Sequence, residues 1–461
     1  MSYKDLAISL FNLEDDDIKT IECTNLNDDI IIDVFLNQNI EICPNCGNDK
    51  NIIKQYVTKK IKHSILSDKN CILNYHARRY ICPICNRSFY EKNPFVFKGS
   101  KISAYTVLNV LKDLKNYNET FSSVAKRYNI SPTTCASIFD SHVMMNRLSL
   151  NEYLCIDECY AFNNKDLKSK YVCMILDYKL KSPIDILPSR RKEYLLKYFK
   201  GIPKDERDKV KMVSSDMYGV YQDVIHEVFP NALHVIDHYH LSQELSRVVD
   251  KIRIRIMNSI GKYDKDKNIT DGYYLLKKFN WLLFKRYDSK TKDGKLLFDP
   301  NITKKDNKHF KEYLNYFDLR SKIMALHPEL YSAWSIWDDF AKLYDENDKD
   351  SIEEALDKLI NIYKDCGIKE ITNFIRLIKS WKAEIINSFI IIDSSYKVDK
   401  ETGHVVVSNH KLNNGLMENR NSILKCIKKN SNGYTNWDRF RNRCLYVLRK
   451  DANPILNPID K

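Results

Sequence analysis

Two short cysteine units constrain this chain more than any other feature. Cys43-Pro44-Asn45-Cys46 and Cys82-Pro83-Ile84-Cys85 repeat one Cys-Pro-x-Cys pattern, with 35 residues between them. Each unit turns two thiols toward one point, and four thiolates satisfy the tetrahedral preference of Zn²⁺. Residues 51–60 and 71–81 between the units read as strands, so residues 42–92 form a zinc ribbon. A ribbon this small has little core of its own, and ligation contributes ~10–16 kcal/mol to the folding of such units. Two complete pairs leave no open position, which makes the site structural and leaves His63 and His76 without a ligand role. The competing reading, unrelated buried thiols or a redox pair, does not explain why Cys-Pro-x-Cys recurs. The other nine of the 13 cysteines, such as Cys155, Cys159 and Cys173, lie in apolar runs and read as core.

The remainder of the chain is too long for one unit. At roughly 150 residues per domain, 461 residues imply about three. The net charge of +13 is uneven: residues 1–41 hold ten acids and two bases, which leaves +21 for the rest. A basic body of that size favours a polyanion, most simply nucleic acid, over a merely solvated Lys-rich surface. No apolar run approaches the ~18 residues of a membrane span. Met1–Asp5 shows no signal pattern, and an odd number of cysteines suits a reducing compartment. The expectation is a cytoplasmic, nucleoid-associated protein without a membrane partner.

Residues 101–145 read as helices, and 119–142 have the layout of a helix-turn-helix. Ala125 permits close approach, Asn129 suits the turn, Ile130 plugs the core, Ser131 caps the second helix and Pro132 opens it. Thr133, Thr134 and Ser137 would then face a major groove. A plain helical hairpin is the alternative. From residue 153 strands and helices alternate as in a mixed α/β sheet, and about 238–410 is helix-like with Trp281, Trp334, Trp337 and Trp381. These Trp residues read as core before they read as stacking platforms for bases.

Asp157 interrupts the first apolar strand, Asp216 ends the fourth, and Glu418 lies on the last amphipathic helix. Phosphodiester chemistry with two Mg²⁺ ions needs such hard oxygen ligands from crossing elements. Among 61 acidic residues some triple of this kind is inevitable, so spacing alone is weak. On the last helix Glu418, Asn421, Ser422, Lys425 and Lys429 share one face, and residues 420–450 carry nine bases against one acid. Asn421, Lys425, Lys428, Lys429, Arg441 and Arg443 are therefore candidate phosphate contacts, with a solvated helix as the alternative. Arg190 and Arg191 offer the same chemistry or an ordinary surface.

The order of these motifs resembles the ISL-three family of bacterial insertion-sequence transposases. The resemblance rests on the zinc ribbon, the helix-turn-helix, Ile156-Asp157-Glu158 and Ser215-Asp216-Met217-Tyr218. It continues through Phe229-Pro230-Asn231-Ala232 and Val235-Ile236-Asp237-His238-Tyr239-His240 to Asn414-Gly415-Leu416-Met417-Glu418-Asn419-Arg420-Asn421. It implies an RNase H-like α/β core with a DDE triad, here Asp157, Asp216 and Glu418. The activity implied is Mg²⁺- or Mn²⁺-dependent cutting and joining of DNA at terminal inverted repeats. The run Asp237-His238-Tyr239-His240 matches an Asp-x-x-His signature, which makes Asp237 and His240 further active-site candidates, with a capping or core role for His240 as the alternative.

The expected fold is multidomain α+β and α/β. An acidic β segment (1–41) precedes the ribbon (42–92) and the helix-turn-helix (101–145). The core begins at 151–240, is interrupted by an all-α insertion (241–409), and resumes at 410–450 before a tail (451–461). Double-stranded DNA, both inverted repeats and target, is the expected partner of a homodimer or larger assembly. A catalytically silent, transposase-derived DNA-binding protein is the other reading; three retained carboxylates argue against it.

Overall fold

The computed structural model describes residues 17–66, 68–398 and 405–456. The first 16 residues of the acidic segment and the last five of the tail lie outside these. Strands β1 (Ile18–Asn25) and β2 (Asp29–Leu36) pair antiparallel, as their β-rich runs predict. Strands β3 (Ile52–Leu66) and β4 (Lys69–Ile81) form a long hairpin, with β5 (Ser88–Tyr90) on the end of β4. β2 runs parallel to β4, so the front strands belong to the ribbon's sheet and are not a separate segment. The reason is burial: Ile32 and Val34 cover Leu73, Tyr75 and Ala77, which the ribbon alone would leave wet.

Three helices follow: α1 (Ala104–Asp113), α2 (Phe121–Arg127) and α3 (Pro132–His142). The turn between α2 and α3 is built as its sequence demands. Asn129 takes φ +48°, which Asn tolerates in the left-handed region, and the Ile130 N–H donates to the Ala125 carbonyl at 2.9 Å. Ser131 Oγ accepts from the Thr134 N–H at 3.0 Å, capping α3. Ala125 is buried where α2 meets α3.

The central sheet comprises β6 (Tyr153–Cys159), β7 (Val172–Asp177), β8 (Ser182–Leu187), β9 (Met212–Ser215) and β10 (Leu233–Ile236). Their order is β10-β9-β6-β7-β8; β6, β7 and β8 are antiparallel neighbours, whereas β9 and β10 run parallel to β6. Alternation along β6 gives the sheet two cores. Leu154 and Ile156 face α4 (Lys192–Lys200) and α6 (Gly219–Val228), while Cys155 and Cys159 face α14 (Gly415–Asn430). A short helix α5 (Lys204–Arg207) leads into β9.

The insertion starts with α7 (His238–Ile260) and α8 (Asp271–Lys278) and continues through α9 (Tyr316–Leu326), α10 (Pro328–Glu346), α11 (Ile352–Tyr363), α12 (Lys369–Ser380) and α13 (Lys382–Asn387). It is not all-α. A small hairpin, β11 (Lys305–Asn307) with β12 (Glu312–Leu314), interrupts it, and β13 (Ile391–Val398) pairs with β14 (Val405–Lys411) before α14. Ile391, Ile392 and Val405 to Val407 are β-branched and favour this extended pairing over helix. Trp334 and Trp381 are buried in the insertion's core, and Trp281 and Trp337 pack against it, so the core reading of all four stands.

The last helix, α15 (Trp437–Leu448), joins the N-terminal helices to the sheet and corrects two expectations. Arg443 is buried and its Nη2 donates to the carbonyls of Asn116 and Glu119 at 2.9 and 3.0 Å, so it has no surface to offer a phosphate. Arg441 pairs with the buried Asp185 at 2.6 Å and donates to the Met145 carbonyl. Replacing Arg443 by Ala should leave a cavity where a fully buried side chain packs and remove its two hydrogen bonds, costing about 3 kcal/mol, read as an earlier urea midpoint with unchanged zinc content.

Candidate active site and zinc centre

The four ribbon cysteines converge. Cys43 and Cys85 sulfurs lie 3.6 Å apart, Cys46 and Cys82 3.5 Å, and all four fall within 4.8 Å of one another. Tetrahedral Zn–S bonds of ~2.3 Å require sulfur separations of about 3.8 Å, so the set fits Zn²⁺. The two knuckles share one backbone plan. The Gly47 and Asn86 N–H groups each donate to the first cysteine's carbonyl at 2.9 Å, at φ +76° and +57°. Backbone N–H groups, those of Cys85 and Ile84, help pull the Cys82 thiol down to about 6, which favours the thiolate a metal needs. His63 instead contacts Ser103 Oγ at 2.8 Å, and His76 contacts Asp33 at 2.8 Å. Of the other cysteines, Cys71, Cys135, Cys155, Cys159, Cys173 and Cys444 are buried, and Cys23, Cys366 and Cys426 are partly exposed.

The second cluster forms where β6 and β9 end side by side. Asp157, Glu158 and Asp216 bring carboxylate oxygens within 4.8 Å of one another. Burial pushes Asp157 up to about 7, and the neighbouring carboxylates add to it. Burial does the same to Asp216, also to about 7, with Glu158 next in effect. Massed oxygens that resist ionisation in this way suit a divalent cation, which would replace the missing positive charge.

Each carboxylate has its own support. Asn421 Nδ2 donates to Asp157 Oδ2 at 2.7 Å. Glu158 accepts from Tyr221 Oη at 2.8 Å and from Arg190, whose guanidinium lies 4.2 and 4.6 Å from the Tyr171 and Tyr218 rings. Arg190 is thus committed to Glu158 and not to an ordinary surface role. Arg191 donates to the Lys168 carbonyl.

The remaining candidates sit beside this cluster. Asp237 is buried, caps α7 by accepting from the Tyr239 N–H at 3.2 Å, and is pushed upward first by burial and further by Glu418. His240 lies in the first turn of α7, and its N–H donates to the Asp237 carbonyl at 3.2 Å. Glu418 is exposed on the first turn of α14, near Asp237, and is not among the three carboxylates that converge most closely. Asn421 does not share the lysine face: Met417, Asn421, Leu424 and Ile427 form the buried stripe of α14 against β6. Its polar side chain is accommodated there because it meets Asp157. Lys425 and Lys429 are exposed, and Lys428 lies 4.0 Å over the Tyr160 ring. Thr133 and Ser137 are exposed on α3, whereas the Thr134 hydroxyl contacts Ser131 Oγ at 2.7 Å.

Sequence reasoning missed Glu158, Tyr221 and the Asn421–Asp157 bond. Glu158 adjoins Asp157, and alternation places the two on opposite faces; the strand's end lets both oxygens reach one point. Among the described residues no helix is long and apolar enough to cross a membrane.

Two family models match the chain. A transposase model covers residues 154–396, and a model described as the zinc-finger of transposase IS204/IS1001/IS1096/IS1165 covers residues 41–85. The transposase for insertion sequence element IS1001 of Bordetella parapertussis is 18% identical over 406 residues, 87% of either chain. The zinc-finger match and the four sulfurs support Zn²⁺, and the DDE transposase model implies a divalent metal such as Mg²⁺. With one model spanning more than half of its length and the other falling on its cysteine ribbon, the chain belongs to the ISL3 family of insertion-sequence transposases.

Proposed function

We propose that this transposase binds the terminal inverted repeats of its element and cleaves and joins DNA strands with two divalent metal ions. The observation that carries the reading is the convergence of Asp157 and Asp216 from β6 and β9, one carboxylate buried and the other half-buried, both held above the usual carboxylate range by their surroundings. The sheet order β10-β9-β6-β7-β8, with three antiparallel strands followed by two parallel ones, supports an RNase H-like core. The metal pair, when bound, supplies an activated oxygen nucleophile and charge stabilisation at the leaving oxygen.

The chain's own residues hold the site in register. Asn421 fixes Asp157 through Oδ2, and Arg190 with Tyr221 fixes Glu158. Glu418, exposed at the start of α14 beside Asp237, is the third acid of the proposed triad. Lys425, Lys428 and Lys429 continue the same helix and would meet adjacent phosphates. Asp237 and His240 are proposed to position the site from α7. The helices α2 and α3 form the proposed helix-turn-helix, with Thr133 and Ser137 toward the bases and Thr134 holding the cap. Both element ends must be brought together, so a homodimer or larger assembly on DNA is proposed.

The test is incubation of the purified protein with its own element's end DNA and Mg²⁺, followed by mapping of the cut strands. Cuts at the ends of the inverted repeat are expected. Glu418→Gln should abolish them without lowering the melting temperature, because the side chain is exposed. A variant that still cuts would remove Glu418 from the triad. Binding to the ends without any cut by the wild type would favour the silent DNA-binding reading.

A further inference from the structure

Behind the acidic cluster, where β10, α6 and α13 meet, a second group of metal-ligating side chains stands outside the function just described. Glu384 Oε1 lies 3.6 Å from His226 Nε2 and 3.8 Å from His234 Nδ1, and all three ligand atoms fall within 4.8 Å of one another. Glu384 and His234 are buried, at 4% and 2% exposure, and His226 opens to solvent.

The protonation of His234 is settled by its neighbours. Ser215 Oγ donates to the Asp216 carbonyl at 2.9 Å and therefore accepts from His234, whose Nε2 is 2.8 Å away. Nε2 thus carries the ring's hydrogen. Nδ1 is then the nitrogen left with a lone pair to offer. That lone pair has no hydrogen-bond partner among the described residues and points at a buried carboxylate oxygen. A cation held between two such electron pairs would give both the partner they lack.

We propose that His226, His234 and Glu384 form a second transition-metal site, suited to Zn²⁺, that is separate from both the cysteine ribbon and the acidic cluster. Two imidazoles and a carboxylate are a recurrent Zn²⁺ donor set, and tetrahedral bonds of ~2.0–2.1 Å need ligand atoms about 3.4 Å apart. The two separations from Glu384 reach that value with shifts of a few tenths of an ångström, and the two imidazole nitrogens lie within 4.8 Å of each other. Both buried ligands are oriented as metal ligands usually are: His234 through its Nε2–H on Ser215, and Glu384 through the Gln222 amide, 2.7 Å from Oε1. The half-exposed His226 provides the entry path. Glu384 belongs to α13 of the insertion, whereas both histidines belong to the sheet and its helix. The ion therefore ties the insertion to the strand next to the one that ends at Asp216. Trp381 and Asn387 already close the same junction, with Asn387 donating to the His234 carbonyl at 3.0 Å.

The test uses the full chain equilibrated with micromolar Zn²⁺ in millimolar Mg²⁺ and then desalted. Elemental analysis should find one zinc beyond that of the four cysteines. His226→Ala and Glu384→Gln should each lose that extra zinc and keep the ribbon's, and His226, being half exposed, can be replaced with little effect on folding. In the Co²⁺-loaded protein, His226→Ala should lose the weak visible bands of a nitrogen and oxygen site while the intense thiolate bands persist. A wild type that holds only the ribbon's zinc overturns the proposal. So does an extra ion that survives both substitutions.

Discussion

Replacing Asp157 by Asn should lower Mg²⁺-dependent cleavage of the element's ends by about a thousandfold or more, while binding to those ends persists. Metal-bound oxygen ligands deliver several kcal/mol of charge stabilisation in the transition state, and each 1.36 kcal/mol is a factor of ten. The substitution preserves shape, so the surrounding packing against α14 is retained. Its effect on stability has the opposite sign. Burial raises Asp157 from 3.8 to about 7. In metal-free protein the folded state therefore holds this proton more tightly than the unfolded chain does. Stability then falls as pH rises from about 4 through about 7, and Asn removes that loss. A variant that fails to cleave yet melts no earlier than the chelated wild type at pH 8 would exclude misfolding as the cause. Cleavage at the wild-type rate would take Asp157 out of the chemistry.

Removing the ribbon zinc is the second large effect. Cys82→Ser should release the metal and the ~10–16 kcal/mol that ligation contributes to such sites. The damage should be local. Residues Ile32, Val34, Ile61, Leu73, Tyr75, Ala77 and Phe95 give the sheet shared by β1, β2 and the ribbon a core that includes none of the four ligand cysteines. Limited proteolysis is therefore expected to cut first in the two knuckles, and affinity for the element's ends should fall by at least tenfold. An unchanged digestion pattern after chelation would contradict a structural role for the metal.

The extent to which these sites could be read beforehand differs between them for physical reasons. The zinc centre was legible because its ligands come in pairs from two local turns, where Cys-Pro-x-Cys followed by Gly47 or Asn86 dictates the geometry. The turn from Asn129 to Ser131 was legible for the same reason: left-handed backbone, cap and first-turn Pro are all local. Asp157 and Asp216 stood out as charges at the ends of apolar strands. Glu158 did not, since strand alternation alone directs it away from Asp157. Helical spacing alone places Asn421 on the lysine face. Only contact with β6 revealed that it belongs to the buried stripe. Arg443 read as a phosphate ligand because a basic run has no label separating the exposed from the buried.

The sequence by itself determined the knuckles, the alternation of strands and helices, and the two aspartates, because each follows from periodicity or from residues a few positions apart. Tertiary structure alone decided which strand covers the ribbon, which side chains support the acids, and where His226, His234 and Glu384 meet. Those outcomes depend on burial between segments many residues apart, and the cost of leaving a buried polar group unpaired selects the partner that no local pattern specifies.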